Sequence, residues 1–392
     1  MEKIVIVAAT RTAVGSFLGQ FSNTPAPKLG AEVIRTLLQK TQINPADVQE
    51  CIMGEVLTAG VGQAPARQAA LYAGLTPATA CMTINKVCGS GLKAVMLAAD
   101  SIQLGHSQIV IAGGQENMSL SPYILENARS GLRMGHQTLT DTMIKDGLWD
   151  PYKNFHMGNA AEICVKENHF SREEQDQFAV ESYEKAQKAW AQNLFSEEIT
   201  NITLESKKGP LIVNKDEEPF KTQFDKIPTL KPAFEKTGTI TAANASKIND
   251  GASAMMLMSE GEARRRGLKP LASIVAQATF AQDPTYFTTA PVGAIKLALQ
   301  KSNLKISDID FWEINEAFAV VTQFAMKQLE IPKEKINVHG GAVAIGHPIG
   351  ASGARILTTL IHALKTHQKR YGLATLCIGG GEAVALIVER NS

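Results

Sequence analysis

The sequence predicts an α/β protein built from two similar halves, with a polar segment inserted between them. The first observation is an internal duplication, because three blocks from the start of the chain return in the same order towards its end. The matching blocks are QKTQINPADV (39–48) with QKSNLKISDI (300–309), SGLKAV (90–95) with SGARIL (352–357), and IVIAGG (109–114) with LCIGGG (376–381). Duplication explains three ordered matches better than chance does.

The second observation is the alternation of elements within each half. An apolar strand, an amphipathic helix, a glycine-rich turn, a second helix and another apolar strand follow one another in both copies. Alternation of this kind favours parallel or mixed sheets that are covered by helices.

The third observation is a change of character in the segment 119–249, which is rich in Lys, Glu, Asn and Gln. One helix is clear within it, because Ser171 can cap it, Glu174 stands three residues later, and apolar residues recur on one face as far as Trp190. We therefore expect a first half formed by 1–118 and 250–268, an inserted domain at 119–249, and a second half at 269–392.

Composition excludes several classes of function. The chain has 392 residues, is 44% hydrophobic and carries a formal net charge of +1, so no global field would steer a nucleic acid towards it. It contains no uncharged apolar run long enough to span a membrane. The start, MEKIVIVAATRTAV, has the pattern of a buried strand and not of a targeting leader. We expect a cytoplasmic protein that binds neither nucleic acid nor membrane.

The cysteines indicate free thiols. There are five, scattered along the chain, without a C-x-x-C pair or a Cys/His spacing of the zinc type. We expect a reducing compartment and no metal site.

Cys88 is the first candidate for chemistry, in NKVCGSGLKAVMLAADSIQLG (85–105). Apolar residues recur at helical spacing after it until Gly105, so Cys88 lies at or just before a helix N-terminus. The positive end of the helix dipole would stabilise a thiolate there. A buried structural cysteine at a glycine turn is the alternative.

His347 is the second candidate, held between Gly346 and Pro348 in a loop that leads into another helix at about Ser352. A histidine in such a loop is more often functional than one on an apolar helix face. The segment lacks the G-x-x-x-x-G-K-[ST] pattern of a nucleotide loop. The nearby His339 is interpreted as structural.

Two further places complete the set. Cys377 ends an apolar strand and is followed by three glycines, Gly379 to Gly381, although a small buried strand residue would look the same. Asn315 follows an apolar strand and opens a helix, where it either faces a cleft or only caps the helix. A cysteine with a histidine suits nucleophilic acyl transfer, a second cysteine can move a proton, and glycine turns offer N–H groups to an oxyanion.

These residues resemble the thiolase family over essentially the whole chain. The blocks VCGSGLKAV, NASKINDGA, NEAFA, GGAVAIGHPIGASGARIL and LCIGGG are similar to its signatures in their usual order. The resemblance implies two βαβαβαββ halves packed in five layers, with the insertion as a loop domain that holds coenzyme A (CoA).

The resemblance also implies roles for five residues. Cys88 would take the acyl group from the first thioester, after activation by His347. His347 would also form an oxyanion hole with a water held by Asn315. Cys377 would move a proton on the α-carbon of the incoming acetyl-CoA. The backbone N–H groups of Cys88 and Gly379 would form a second oxyanion hole.

Contacts with CoA follow from the same resemblance. The residues implied are His156, Met157, Ala242, Ser246, Ala317 and Phe318, with Leu148 at the adenine end. CoA thioesters would be the substrates and no further cofactor is implied. The family assembles as homo-oligomers, either dimers or tetramers. Lys221 is the basic residue nearest to the position where relatives often have an arginine.

Two positions depart from the family pattern. Glu382 stands where relatives more often have Met, Gln or Leu, and Ala383 stands where they have Gly. The Glu382 carboxylate would point away from the site or pair with a lysine. This departure bears on substrate range more than on catalysis.

The motif FHMG (155–158) is similar to that of short-chain, acetoacetyl-forming members. We therefore expect an acetyl-CoA C-acetyltransferase that converts two acetyl-CoA to acetoacetyl-CoA and CoA, reversibly. A degradative 3-ketoacyl-CoA thiolase of broader range is the alternative enzyme. A silent thioester-binding paralogue is the alternative outside enzymes, although Cys88, His347 and Cys377 are all retained.

Overall fold

The computed structural model describes residues 2–205 and 209–391. Its strands are β1 (Ile4–Thr12), β2 (Gly15–Ser16), β3 (Glu50–Gly54), β4 (Ala80–Ile84), β5 (Ile109–Asn117), β6 (Tyr123–Leu125), β7 (Leu139–Asp141), β8 (Trp149–Asp150), β9 (Phe155–His156), β10 (Ile199–Thr200), β11 (Ile202–Leu204), β12 (Leu211–Val213), β13 (Asn249–Ser259), β14 (Ala272–Ala281), β15 (Phe311–Ile314), β16 (Tyr371–Ile378) and β17 (Glu382–Arg390). Its α-helices are α1 (Ala26–Thr41), α2 (Pro65–Ala73), α3 (Ser90–Gln103), α4 (Met157–Asn168), α5 (Arg172–Ala191), α6 (Glu260–Arg265), α7 (Ala290–Ser302), α8 (Ala319–Leu329), α9 (Ala342–Ile345) and α10 (Ser352–Thr366).

The strand order confirms the duplication. The first half has the order β4-β3-β5-β13-β1 and the second has β15-β16-β17-β14. In both halves the leading strands run parallel and the last two pairings are antiparallel. A parallel bridge between Trp312 and Ile336 stands where β4 pairs with β3 in the first half. The two sheets join edge to edge through a short contact of Val5 with Ser273 and Ile6 with Ala272.

Five layers result from the way the helices pack on these sheets, as the resemblance to the thiolase family implied. Apolar residues of α3 and α10 form one buried cluster with residues from the inner faces of both sheets. Helices α1 and α2 cover the outer face of the first sheet. Helices α7 and α8 cover the outer face of the second.

The two central helices approach each other closely because glycines lie at their contact. A Cβ at Gly353 would lie 2.3 Å from the Leu92 backbone nitrogen, and one at Gly91 would lie 2.7 Å from that of Ala354. No side chain fits into such a gap without moving backbone atoms. The N-terminal ends of α3 and α10 are therefore held side by side.

The segment between β5 and β13 contains α4, α5 and several short strands. The predicted capping box is confirmed at the start of α5, where Ser171 Oγ accepts from the Glu174 N–H at 3.1 Å and the Ser171 N–H donates to Glu174 Oε2 at 2.7 Å. The segment is tied to β1 by the buried Arg11, which donates to Asp216 Oδ1 at 2.8 Å and to Glu198. Among the helices of the described residues, none is long and apolar enough to cross a bilayer.

We predict that Gly353→Ala destabilises the protein by about 1 to 3 kcal/mol, because its methyl group would meet the Leu92 backbone. Helix propensity alone would change stability in the opposite direction. Gly261→Ala is the matched control, since the Cβ there would meet only the movable carboxylate of Glu2. Urea unfolding measures both variants. Equal stability of the two would contradict the close approach of the central helices.

Candidate active site

Cys88 lies in a tight turn that leads directly into α3. Ser90 Oγ accepts from the Lys86 N–H at 2.8 Å and donates to the Val87 carbonyl at 2.7 Å, which closes the turn. Val87 has a φ of +46°, a region where β-branched residues are rarely found and which costs about 1 to 3 kcal/mol. The surrounding structure therefore imposes a strained conformation one residue before the candidate nucleophile.

The turn is packed against loops from both halves of the fold. Cys88 is partly exposed and contacts a buried apolar group formed by Val56, Leu57, Met118, Met143 and Ile349. Ile349 belongs to the His347 loop, so this loop and the Cys88 turn are neighbours.

A backbone group of the second half lies near the Cys88 thiol. The backbone N–H groups of Gly379 and of Cys88 itself are close enough to Sγ to lower its pKa. A Cβ at Gly379 would lie 3.6 Å from Val87 Cγ1, which shows how closely the two turns meet. The structure thus brings together the two N–H groups of the expected second oxyanion hole.

Cys88 is a thiol and not a thiolate in the resting site. Burial raises its pKa to about 11, the two N–H groups lower it, and the nearby Glu116 raises it further. The helix terminus was expected to favour the thiolate, but desolvation outweighs it. A nucleophilic Cys88 would therefore need a base to take its proton.

His347 has the form that such a base requires. Its backbone N–H donates to Asn249 Oδ1 at 2.8 Å. Its Nδ1 lies 2.6 Å from Ser352 Oγ, whose own proton is donated to the Pro348 carbonyl at 2.8 Å. Since Ser352 can then only accept, Nδ1 carries the imidazole proton and Nε2 presents a lone pair.

The remaining ring nitrogen is free to act. His347 Nε2 is buried and has no hydrogen-bond partner in residues 2–205 and 209–391. Burial lowers the pKa of His347 to about 3, and the Arg355 guanidinium lowers it further. The imidazole is therefore neutral in the resting site, with a lone pair on Nε2.

Cys377 lies near the end of β16 and is fully buried. It shares a cluster with Met157, Ala317 and Phe318. Burial raises its pKa well above the ordinary value, and the neighbouring Cys88 adds to this effect. The site therefore contains two neutral thiols, one from each half.

Asn315 does not cap a helix, so that alternative is wrong. Helix α8 begins four residues later with Phe318 as its N-cap, and the Asn315 N–H donates to the Thr375 carbonyl at 3.0 Å. Both polar atoms of its side chain are buried without a partner among the described residues. Buried amides are rarely left unpaired, which indicates a place for a water or a ligand.

The expected CoA contacts are mostly gathered beside Cys377. The His156 ring stacks on Phe234 with centroids 4.8 Å apart, and Phe234 meets Phe318 edge to face. The Ser246 N–H donates to the Ala317 carbonyl at 2.9 Å. Met157 also joins this region, because its Cε lies 3.7 Å from a Cβ placed at Gly379.

The other expected contacts are more distant from this group. Leu148 packs with the apolar residues around Cys88, and Ala242 is exposed on the loop before β13. Lys221 donates to Ser16 Oγ at 2.7 Å and pairs with Glu217. Within the described ranges, no group of three or more His, Cys, Asp or Glu side chains is arranged to hold a metal ion.

Glu116 is a site residue that the sequence reasoning missed. Its buried carboxylate accepts from the backbone N–H groups of Val56 at 3.0 Å, Leu57 at 3.1 Å and Gly350 at 2.8 Å. Burial raises its pKa to about 7, against the effect of these donors. It connects the end of β5 to the His347 loop. A signal was present in GGQEN (113–117), an acidic residue inside an apolar strand.

We predict that iodoacetamide alkylates Cys88 about ten times faster for each pH unit between 7 and 10, because the thiolate fraction grows in that proportion below the pKa. Peptide mass analysis at several pH values measures the rate, with Cys88→Ala as the blank. A rate independent of pH from about 6 to 9 would mean a preformed thiolate.

The chain is similar to known proteins over essentially its whole length. The chain matches the family models described as thiolase, N-terminal domain, over residues 4–261, and thiolase, C-terminal domain, over residues 268–390. It is 52% identical to an acetyl-CoA acetyltransferase of Cupriavidus necator, with both chains covered completely. It is 48% identical to a probable acetyl-CoA acyltransferase of Staphylococcus epidermidis, covering 100% of this chain and 99% of that one.

A solved structure gives the same result for the fold. The crystal structure of the Bacillus anthracis acetyl-CoA acetyltransferase superposes with a TM-score of 0.97 at 40% identity, covering 100% of this chain and 99% of that one. Both thiolase family models match this chain, its fold is duplicated, and its relatives match over their full length. This chain therefore belongs to the thiolase family.

Proposed function

We propose that this thiolase is an acetyl-CoA C-acetyltransferase that condenses two acetyl-CoA to acetoacetyl-CoA and CoA, reversibly. The observation that carries the proposal is that the Cys88 turn lies next to Cys377 and against the loop of His347, whose buried Nε2 has no partner among the described residues. Acyl transfer with carbon–carbon bond formation needs a nucleophile and two proton-transfer groups. The printed names of relatives at 50 to 52% identity support acetyl-CoA as the substrate.

In the first half-reaction, His347 Nε2 takes the Cys88 proton and Sγ attacks the thioester carbonyl. We assign binding of the oxyanion to the backbone N–H groups of Cys88 and Gly379, since both lie beside Sγ. The intermediate then expels the CoA thiolate. Because Cys377 is a thiol at rest, it protonates CoA and becomes a thiolate itself.

In the second half-reaction, the Cys377 thiolate takes a proton from the α-carbon of a second acetyl-CoA. The protonated Nε2 of His347 and a water held by Asn315 stabilise the enolate oxygen, which gives a role to the unpaired atoms of both side chains. The α-carbon attacks the acetyl-Cys88 carbonyl. Sγ then departs and recovers its proton from His347, which restores the resting site.

The segment 119–249 is proposed to be the domain that holds CoA. The aromatic group of His156, Phe234 and Phe318 supports this, because it lines the approach to Cys377 with apolar surface. Met157 reaches towards Gly379 and narrows the space beside the thiols. A narrow space favours a short acyl group.

A broader 3-ketoacyl-CoA thiolase is the second candidate, supported by the relative named as a probable acetyl-CoA acyltransferase. The ratio of thiolysis rates on acetoacetyl-CoA and on a C8 3-ketoacyl-CoA separates the two candidates. A ratio well above one supports the short-chain proposal, and a ratio near or below one supports the alternative.

The proposal includes a homo-oligomer, either a dimer or a tetramer, in the cytoplasm, with CoA thioesters as the only small molecules required. The exposed edge of the first sheet supports assembly, because β4 has no further strand beside it among the described residues and its Met82 side chain is exposed. Unpaired strand edges are templates for pairing with another chain.

Brief mixing with acetyl-CoA tests the function itself. We predict an acetyl adduct of about 42 Da on Cys88, found by intact mass and peptide mapping. Cys88→Ala should give no adduct, whereas Cys377→Ala should still be acetylated but form no acetoacetyl-CoA. An adduct on another residue of the wild type would contradict the assignment. A protein that binds CoA without any adduct would support the silent paralogue.

Ser352→Ala is expected to slow acetylation of Cys88 about tenfold, because Nδ1–H loses its acceptor and the wrong tautomer becomes accessible. Ser253→Ala is the control, since Ser253 is an equally buried serine that bonds to the Thr10 carbonyl and to Thr358. Rapid-quench mass analysis measures both rates. A similar rate in the two variants would show that Ser352 does not orient the imidazole.

A further inference from the structure

An ion pair that takes no part in the proposed chemistry bridges the two turns that meet at Cys88. Lys86 Nζ contacts Glu382 Oε2, and the two side chains are 23% and 33% exposed. Lys86 lies two residues before Cys88, in the first half of the fold. Glu382 lies three residues after Gly379, in the second half. The pair therefore crosses the joint between the halves at the place where both turns reach the site.

The lysine is attached to the part of the turn that sets the position of Cys88. Its N–H donates to Ser90 Oγ at 2.8 Å, and its carbonyl accepts from the Gly89 N–H at 3.0 Å. Val87, the next residue, is held at a φ of +46°. A displacement of Lys86 would therefore be transmitted directly to Cys88.

The glutamate is attached to a rigid strand. It is the first residue of β17, where it pairs with Ile378 across the hairpin and with Ala281 on the neighbouring strand. Gly380 and Gly381, with φ values of +91° and +84°, form the bend just before it. Glu382 thus provides a fixed point beside the Gly379 loop.

The halves are held together beneath this joint by a shared core, because α3 packs in one buried cluster with apolar residues of β16 and β17. At the surface of the joint the two turns also touch. A Cβ at Gly379 would lie 3.6 Å from Val87 Cγ1, and one at Gly89 would lie 2.4 Å from Ile378 Cδ1. These apolar contacts limit how closely the turns approach but have no preferred direction. The partly exposed ion pair adds little to overall stability, but it is directional and links the two turns at one defined place.

We propose that Lys86 and Glu382 act as a positioning pair that holds the Cys88 turn against the Gly379 loop. The two N–H groups of the oxyanion hole come one from each half, so their separation depends on this joint. Neither side chain touches a reacting atom. The inference rests on the proposed acyl-transfer function.

The test uses Lys86→Met, Glu382→Gln, their combination, and the exchanged pair K86E/E382K. The rate and half-saturation of Cys88 acetylation are measured with acetyl-CoA and with acetyl-N-acetylcysteamine, which has no phosphate groups. We expect each single variant to lower the rate about fivefold with either donor, the equivalent of about 1 kcal/mol at 1.36 kcal/mol per factor of ten. The combined variant should be no slower than the single ones.

Two further variants separate positioning from general effects on structure. K86E/E382K should recover at least half of the wild-type rate, because it restores an ion pair with the opposite polarity. Asp47→Asn should leave the rate unchanged, since it breaks a similarly exposed pair with Arg266, at 39% and 24% exposure, far from the site.

Several results would overturn the inference. Wild-type rates in both single variants would show that the pair positions nothing. The rate of acetylation could instead fall only with acetyl-CoA, with a higher acetyl-CoA concentration needed for half-saturation. That result would make Lys86 a contact for the CoA phosphates and not a positioning residue. An exchanged pair no faster than the single variants would also contradict the proposal. A wild type without any Cys88 adduct would overturn the proposed function, which is a different outcome from an active wild type with unaffected variants.

Discussion

The close approach of α3 and α10 is the constraint on which the rest of the site depends. Gly91 and Gly353 let the two backbones meet where a single methyl group would collide with a backbone nitrogen. Each helix begins just after one of the two candidate loops, the Cys88 turn before α3 and the His347 loop before α10. Packing the two N-terminal ends together therefore places the proposed nucleophile near the proposed base.

The second general feature is that the resting site avoids charge. Burial raises the pKa of both cysteines and lowers that of His347, so the reacting groups are neutral before substrate binds. In the proposed reaction, charge develops only on the oxyanion and the enolate. Donors that are fixed in advance would stabilise that charge, which is the usual basis of electrostatic stabilisation in enzymes. The unpaired atoms of Asn315 and His347 are the groups to which the proposal gives this role.

Much of this structure could be predicted from local signals in the sequence. Helical spacing after Cys88 and the capping box at Ser171 depend on neighbouring residues, and both helices are present. The duplicated blocks predicted the two matching sheets. The partners of the site residues were harder to predict, because they lie far apart in the chain. Glu116 accepts a hydrogen bond from the Gly350 N–H, 234 residues away along the chain. Lys86 pairs with Glu382, which is 296 residues away. The expectation that the helix terminus would favour a Cys88 thiolate was wrong for a related reason. Burial raises the pKa of Cys88, and burial depends on the whole folded chain and not on the turn alone.

Transfer of a labelled acetyl group tests the central claim most directly. Acetyl-enzyme is prepared with ¹⁴C-acetyl-CoA, separated from free nucleotide, and mixed with unlabelled acetyl-CoA for a single turnover. The account predicts that all label in the acetoacetyl-CoA lies in C3 and C4, because the acetyl group on Cys88 is the electrophile and the incoming acetyl-CoA supplies the α-carbon. Label in C1 or C2, or acetyl-enzyme that yields no acetoacetyl-CoA, would contradict it.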